Sequence, residues 1–260
     1  MSAVLSITGM HRSGTSLITS WLEQCGLQIH DGHSVGSDKF NKNGYFEDKE
    51  FHELQSTAVS EAFPESRGWK VFAGKFLRFN DGQLTQAQKM IDIRRAKYSR
   101  WGWKDPRTCL FLEHWKEIIP NLKVLLIWRP AAAVASSLVK RSKKSIRLDR
   151  LTNRITLEES VKLWMHYNKL ICLYKQKYPE DTVLLPLDHL IKDSRTALRV
   201  INEKFQTNFQ HRSIHTIYDQ SLLHENPLFS LTRLAARKMG ERYRSVEIEN
   251  ALKSFSDFDI

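Results

Sequence analysis

A glycine-bounded loop near the amino terminus has the residues best suited to hold an anion. Residues 2–8 form an apolar, strand-like run, and Gly9 and Gly14 bracket a short loop that leads into a segment with helical spacing. Glycine lets the backbone bend around an oxyanion without Cβ clashes, and the free N–H groups at a helix start point at the negative charge. The sequence therefore predicts an anion-binding loop over residues 9–16.

The basic residue of this loop is at a different position from the lysine of nucleotide triphosphatases. The Gly-x-x-x-x-Gly spacing matches a phosphate-binding loop, but Thr15 occupies the lysine position, and the basic residue is Arg12. Kinases and GTPases use that lysine to bridge two phosphates and the next hydroxyl to hold Mg²⁺. The loop is therefore predicted to bind a phosphate-like group for a different reaction. A Mg²⁺-dependent nucleotide or small-molecule kinase with a degenerate loop is the alternative.

A second candidate anion site follows another apolar run, residues 122–128. That run delivers Arg129 to its carboxyl end, Pro130 suits the first turn of a helix, and Ser137 lies two turns along it. An arginine fork and a hydroxyl so placed can bind a second phosphate some distance from the first. A solvated arginine that merely ends a strand is the alternative.

Together, the two sites resemble those of the sulfotransferases that use 3′-phosphoadenosine 5′-phosphosulfate (PAPS). In that family a basic-Ser-Gly-Thr loop after the first strand holds the 5′-phosphosulfate. An Arg at the end of a later strand, with a Ser eight residues on, holds the 3′-phosphate. The resemblance, which covers roughly residues 3–30 and 100–140, assigns donor binding to His11, Arg12, Ser13, Gly14, Thr15, Ser16, Arg129 and Ser137.

The resemblance implies transfer of the sulfuryl group of PAPS to a hydroxyl or amine without a metal. The migrating group carries less charge than a phosphoryl group, so N–H groups and cationic side chains are expected to stabilise its transfer. Arg12 is expected to neutralise the bridging oxygen as adenosine 3′,5′-bisphosphate (PAP) leaves, and Lys104 to contact the sulfuryl group. The expected acceptor is a carbohydrate or a small molecule such as a secondary metabolite.

The acceptor must lose a proton, and residues 43–48 offer the first candidate base. They resemble the segment in which bacterial sulfotransferases carry an acidic residue over the active site. Glu47 is therefore predicted to be the base, and Asp48, which could instead cap the next helix, is the second candidate. His11 and His33 are further alternatives, although a histidine beside an anion loop more often donates a hydrogen bond to the phosphate.

Two further basic segments, residues 104–107 and residues 237–240, are candidates for the site. Pro106 forces its predecessor into an extended conformation, which fixes the direction in which Lys104 and Asp105 project, and Asp105 is expected to pair with Arg107. Further along, residues 237–240 imperfectly resemble a carboxyl-terminal Arg-Lys-Gly segment that closes over the 3′-phosphate in the cytosolic enzymes.

The composition is that of a globular protein, and its positive charge favours an anionic ligand. With 260 residues, 41% of them hydrophobic, the chain fits one domain over residues 1–260. A net charge of +11 favours an anionic partner; a nucleic-acid-binding module that uses the basic residues 140–154 is the alternative to an enzyme. We expect no membrane partner and a cytoplasmic location, since apolar runs are short and no signal segment is visible. Three cysteines at unrelated spacings argue against a disulfide framework or a zinc site.

A parallel sheet is predicted to position the candidate site residues. Strands are predicted at residues 2–8, 101–104, 122–128 and 182–187, and the continuous apolar runs among them favour a sheet buried on both faces. Helices are predicted at 15–26, 48–62, 82–98, 108–119, 130–141, 157–178 and 194–205, with more helix toward the carboxyl terminus. The expected fold is a three-layer α/β/α sandwich, and the resemblance implies its P-loop-like sulfotransferase form. Ligands of such folds lie at the carboxyl ends of the strands.

Overall fold

Four parallel strands form the centre of the structure, a computed structural model that describes residues 3–29, 46–72, 74–144, 154–217 and 227–258. The strands are β1 (Ala3–Thr8), β2 (Arg100–Lys104), β3 (Lys123–Trp128) and β4 (Thr182–Pro186), in the sheet order β2-β1-β3-β4. Every neighbouring pair is parallel. The predicted strands are confirmed to within one residue at each end.

Helices pack around this sheet. Within the described residues they are α1 (Thr15–Gln24), α2 (Lys49–Ala62), α3 (Asp81–Lys97), α4 (Thr108–Ile118), α5 (Ala131–Lys144), α6 (Leu157–Lys177), α7 (Leu187–Lys192), α8 (Ser194–Phe205), α9 (Pro227–Arg242) and α10 (Ser245–Ser254). Short 3₁₀ turns lie at Pro64–Ser66, Pro179–Asp181 and Ile214–Thr216. Side chains of Asp48, Asn80, Thr156 and Asp193 accept hydrogen bonds from the first free N–H groups of α2, α3, α6 and α8. The predicted helices are present, and α9 and α10 are the expected carboxyl-terminal additions.

The sheet is buried on both faces, as its continuous apolar strands predict. Alternate residues of β3 point to opposite sides. Val124 and Leu126 belong to a core that includes α2, α3, α4 and α6, whereas Leu125 and Ile127 pack with α1, α7 and α8. The predicted α/β/α architecture is therefore confirmed.

The carboxyl ends of the strands meet at one edge, where the candidate residues follow them. Ile7 of β1 pairs with Lys104, the last residue of β2. Gly9, directly after β1, lies so close to β3 that a Cβ atom on it would be 2.1 Å from the carbonyl oxygen of Ile127. A side chain at this position would push β1 and β3 apart, so the approach requires glycine.

Candidate active site

The loop between β1 and α1 ends in a second constrained glycine. Gly14 precedes the first residue of α1 with a φ of 95°, in the left-handed region, and a Cβ there would be 2.6 Å from Cδ1 of Leu187. The N–H of Ser13 donates to the carbonyl oxygen of Met10 at 3.0 Å and closes the preceding turn. Among the described residues, no side chain caps the start of α1. The loop therefore leads into a helix start of the kind that binds anions through its first N–H groups.

Arg12 joins the two predicted anion sites. It has a φ of 73°, which is uncommon for a residue other than glycine. Its Nε donates a hydrogen bond to Oγ of Ser137 at 3.0 Å, and Nη1 of Arg129 donates to the carbonyl oxygen of Arg12 at 3.4 Å. The residues predicted for the two anion sites are therefore in direct contact, and the predicted separation of the two bound phosphates stays a prediction. Arg12, Arg129 and Ser137 form one cluster, because α5 starts beside the loop.

Residues far along the chain fix the position of Arg129 and of α5. The carbonyl oxygen of Arg129 accepts a hydrogen bond from Nε1 of Trp164 on α6 at 2.9 Å. The N–H of Ala131, the first residue of α5, donates to Oε1 of Glu249 on α10 at 2.9 Å. A carboxylate at a helix start is favoured by the helix dipole. These two contacts define where α5 begins and so where Ser137 lies.

Lys104 and Glu47, both predicted to be catalytic, form a buried ion pair. The Lys104 side chain is 1% exposed, and its Nζ lies 2.9 Å from Oε1 of Glu47 and 3.2 Å from Oγ of Ser16. A charge withdrawn from water needs such partners. These contacts bring three parts of the chain together: the end of β2, the residue before the α2 cap, and the first turn of α1.

Asp48, the second candidate base, is bound on both sides by structural partners. One carboxylate oxygen accepts hydrogen bonds from the N–H groups of Glu50 and Phe51 at 3.0 and 3.4 Å, which caps α2. The other oxygen lies 2.7 Å from Nη2 of Arg94 on α3, and both side chains are almost fully buried. Both carboxylate oxygens of Asp48 therefore have structural partners.

The expected ion pair between Asp105 and Arg107 is present and includes a histidine that the sequence did not indicate. Nη1 of Arg107 lies 3.0 and 3.1 Å from the two carboxylate oxygens of the fully buried Asp105. Nδ1 of His52, on α2, lies 3.3 Å from the same Nη1. A guanidinium has only donors, so Nδ1 pairs with it as an acceptor when the imidazole proton is on Nε2. The same Nδ1 lies 3.6 Å from Oδ2 of Asp105. Burial is the main cause that lowers the pKa of His52.

The loop holds two buried polar atoms that lack partners. Nε2 of His11 and Oγ of Ser13 make no hydrogen bond within the described residues. Buried polar groups are normally satisfied, so each such atom calls for an explanation. Oxygen atoms of a bound phosphate or sulfate group would satisfy the Ser13 hydroxyl, and the donor set of the loop fits such an anion.

Arg141, one of the basic residues 140–154 that the sequence points to, lies near this site. It lies one turn beyond Ser137 on α5, on the same face, and its charge lowers the pKa of His11 across the site.

Other predicted residues lie away from this cluster or outside the described residues. Arg237 is 77% exposed and lies 3.6 Å from Glu241, on the surface of α9. His33, residues 43–45 and residues 145–153 lie outside the part of the chain that the structure describes.

Within the described residues, no group of three or more His, Cys, Asp or Glu side chains could hold a metal ion. None of the helices described is both long enough and apolar enough to cross a bilayer. Cys25, Cys109 and Cys172 are free thiols.

Comparison with known families agrees with this geometry. The sequence profile of the sulfotransferase family matches residues 5–211, a range that includes the anion-binding loop, Glu47, Lys104, Arg129 and Ser137. This chain belongs to the sulfotransferase family. No curated protein sequence matches it.

Two solved structures share the fold. A sulfotransferase from Alicyclobacillus acidocaldarius has a TM-score of 0.55 and 12% identity, with 100% of this chain and 97% of that chain covered. The sulfotransferase domain of the Synechococcus PCC 7002 olefin synthase has a TM-score of 0.50 and 14% identity, with 94% of each chain covered. At such identities the likeness concerns the fold alone.

Proposed function

We propose that this protein is an enzyme that transfers the sulfuryl group of PAPS to a hydroxyl or amine of a carbohydrate or small-molecule acceptor. The observation that carries the proposal is the cluster of Arg12, Arg129 and Ser137 beside the uncapped start of α1, in a member of the sulfotransferase family. PAPS carries negative charge at both the 3′ and the 5′ position of its ribose. Two neighbouring arginines beside the backbone N–H groups of a helix start suit such a donor.

The donor-binding roles follow from where each group lies. Residues 11–16 hold the 5′-phosphosulfate through backbone N–H groups and hydroxyls, and the buried Ser13 hydroxyl supplies a hydrogen bond that no described residue uses. Arg129 and Ser137 hold the 3′-phosphate. Arg141, one turn further along α5, adds a charge to the same surface.

The transfer step requires positive charge where negative charge develops. The acceptor oxygen or nitrogen bonds to sulfur while the bond from sulfur to the bridging oxygen breaks, and the electron pair leaves with PAP. Arg12 neutralises the bridging oxygen, and Lys104 stabilises the sulfuryl oxygens. The contact of Lys104 with Ser16, in the first turn of α1, supports this role because it places the ammonium at the anion-binding loop.

Glu47 is the base that takes the proton released by the acceptor hydroxyl or amine. Its Oε1 accepts a hydrogen bond from the Lys104 ammonium at 2.9 Å. This ion pair orients the carboxylate, and Oε2 is the oxygen that takes the proton of the acceptor. The polar groups required for the transfer are all side chains or backbone amides, so the proposed reaction needs no metal.

The proposal is tested by incubating the protein with PAPS and a panel of sugar, phenol and amine acceptors without added metal. Mass spectrometry should detect a sulfated product together with PAP. Lys104→Met should abolish product formation, and Lys89→Met, on the exposed face of α3, should not. Formation of a phosphorylated product from ATP and Mg²⁺ instead would contradict the proposal.

A further inference from the structure

His11 is the polar residue of the anion-binding loop whose role is least explained. Its ring packs edge-on against Trp69 at 5.1 Å and Tyr167 at 5.9 Å between ring centroids. Its Nε2 is buried and unpartnered within the described residues, and the nearby Tyr167 hydroxyl is already used, since it donates to the carbonyl oxygen of Trp69 at 2.7 Å. Among the described residues, no polar group therefore accounts for Nε2 of this imidazole.

The charges around His11 come from four elements, and they are mostly positive. Arg12 of the loop, Lys104 of β2, Arg107 before α4 and Arg141 of α5 all act on the imidazole. The two carboxylates of the site, Glu47 and Asp105, are held in ion pairs with Lys104 and Arg107. Together with burial, which is the largest cause, these cations lower the pKa of His11 well below its ordinary value. Without an anion in the site, these causes favour the neutral form of His11.

We propose that His11 takes up a proton when the anionic donor binds, and that the resulting imidazolium donates a hydrogen bond to that donor. This inference rests on the proposed function, because the donor supplies the negative charge. Before binding, a proton on His11 would meet four cations; after binding, it meets phosphate and sulfate oxygens as well. The loop then gains a positive charge only while the donor is present.

Burial explains why the chain has a histidine here instead of a permanent cation. A lysine or arginine at position 11 would be charged in the empty site, against its neighbours and away from water. A neutral imidazole avoids that cost, and one proton converts it to a ligand for the donor. The direction of the pH dependence follows: the contribution of His11 to donor affinity grows as pH falls, by up to about tenfold per pH unit.

Proton uptake on PAP binding tests the inference directly. Calorimetric titration with PAP at about pH 6.5, in two buffers with different heats of ionisation, gives the number of protons taken up. The phosphates of PAP titrate in the same range, so the informative quantity is the difference between the protein and His11→Gln. We expect the variant to take up about one half to one proton less.

His52→Gln is the matched control. His52 is a second partly buried histidine of the same site, but its Nδ1 is already bound by Arg107. We expect this variant to take up as many protons as the unmodified protein. Equal uptake by the unmodified protein and His11→Gln would overturn the inference while leaving the proposed function intact. Failure of all three proteins to bind PAP would instead refute the proposed function.

A second measurement uses only the unmodified protein. In the unmodified protein with ¹³C-labelled histidine, the His11 resonance, recognised by its contacts with the Trp69 ring, should titrate at a higher pH once PAP is added. An unchanged titration of that resonance at saturating PAP would also overturn the inference.

Discussion

Arg12 and Ser137 are 125 positions apart in the chain, and a hydrogen bond of 3.0 Å from Nε to Oγ joins them. This contact connects the loop after β1 to the second turn of α5. The cation of one predicted anion site therefore touches the hydroxyl of the other. Because the two residues share a contact, the effects of replacing them on donor binding should not be additive.

Replacement of Arg12 tests its action on the leaving oxygen. Arg12→Ala should lower turnover of PAPS by on the order of 10² or more, because the charge that neutralises the bridging oxygen is lost, while the fold survives. The measurement is the rate of PAP formation, with circular dichroism to monitor the fold. Arg95→Ala, on an exposed face of α3, serves as the control and should keep its rate. A rate for Arg12→Ala equal to that of the control would remove Arg12 from catalysis.

Replacement of Glu47 separates proton transfer from the positioning of Lys104. Glu47→Gln keeps an oxygen for the Lys104 ammonium but cannot take a proton, so kcat should fall by about 10² or more, with little change in the dissociation constant of PAP. Single-turnover kinetics and calorimetry measure the two quantities. An unchanged kcat would assign the base elsewhere.

Asp48 provides the neighbouring comparison. Asp48→Asn still caps α2, but it breaks the buried ion pair with Arg94, so we expect the free energy of unfolding to fall by about 3 kcal/mol. Below the unfolding transition, kcat should be nearly that of the unmodified protein. A loss of kcat as large as that of Glu47→Gln, without a loss of stability, would make Asp48 the base.

A half-buried carboxyl group on α1 gives a pH-dependent effect on stability. Burial raises the pKa of Glu23 from 4.5 to about 7. The folded protein then binds a proton more tightly than the unfolded chain, so the stabilisation that this proton provides is complete below pH 4.5 and is lost as pH rises through 7. At about pH 8, Glu23→Gln should raise the free energy of unfolding by about 1 kcal/mol, a figure reduced for the exposed part of the side chain.

Urea denaturation of Glu23→Gln and of the unmodified protein, at about pH 8 and at pH 4.5, measures this effect. The gain at alkaline pH should disappear at pH 4.5, where the unmodified side chain is largely neutral in the folded protein. A gain of equal size at the two pH values would show that the substitution acts through packing and not through the charge.

The sheet and its helices could be predicted because each is encoded locally. Continuous apolar runs such as residues 122–128 indicate strands buried on both faces, and Asp48 at the start of a helical pattern indicates a cap. The anion-binding loop was predictable for the same reason, since both glycines and the start of α1 lie within a few residues. The short-range pair of Asp105 and Arg107 also follows from adjacent residues.

The long-range contacts of the site could not be predicted. The distance between Arg12 and Ser137 depends on where α5 begins, which Trp164 and Glu249 set from α6 and α10. Arg94, the partner of Asp48, projects from a helix that no motif connects to the site. Such pairs depend on how helices pack against the sheet, and a sequence pattern of one segment carries no information about the neighbour it will meet.

Calorimetry with PAP and with ATP, each without added metal, tests the central claim most directly. The account predicts that PAP binds, that ATP binds at least about a hundredfold more weakly, and that Arg129→Ala reduces the affinity for PAP by tenfold or more, roughly the contribution of a charge-assisted hydrogen bond. Preferential binding of ATP that requires Mg²⁺, or a PAP affinity unaffected by Arg129→Ala, would contradict it.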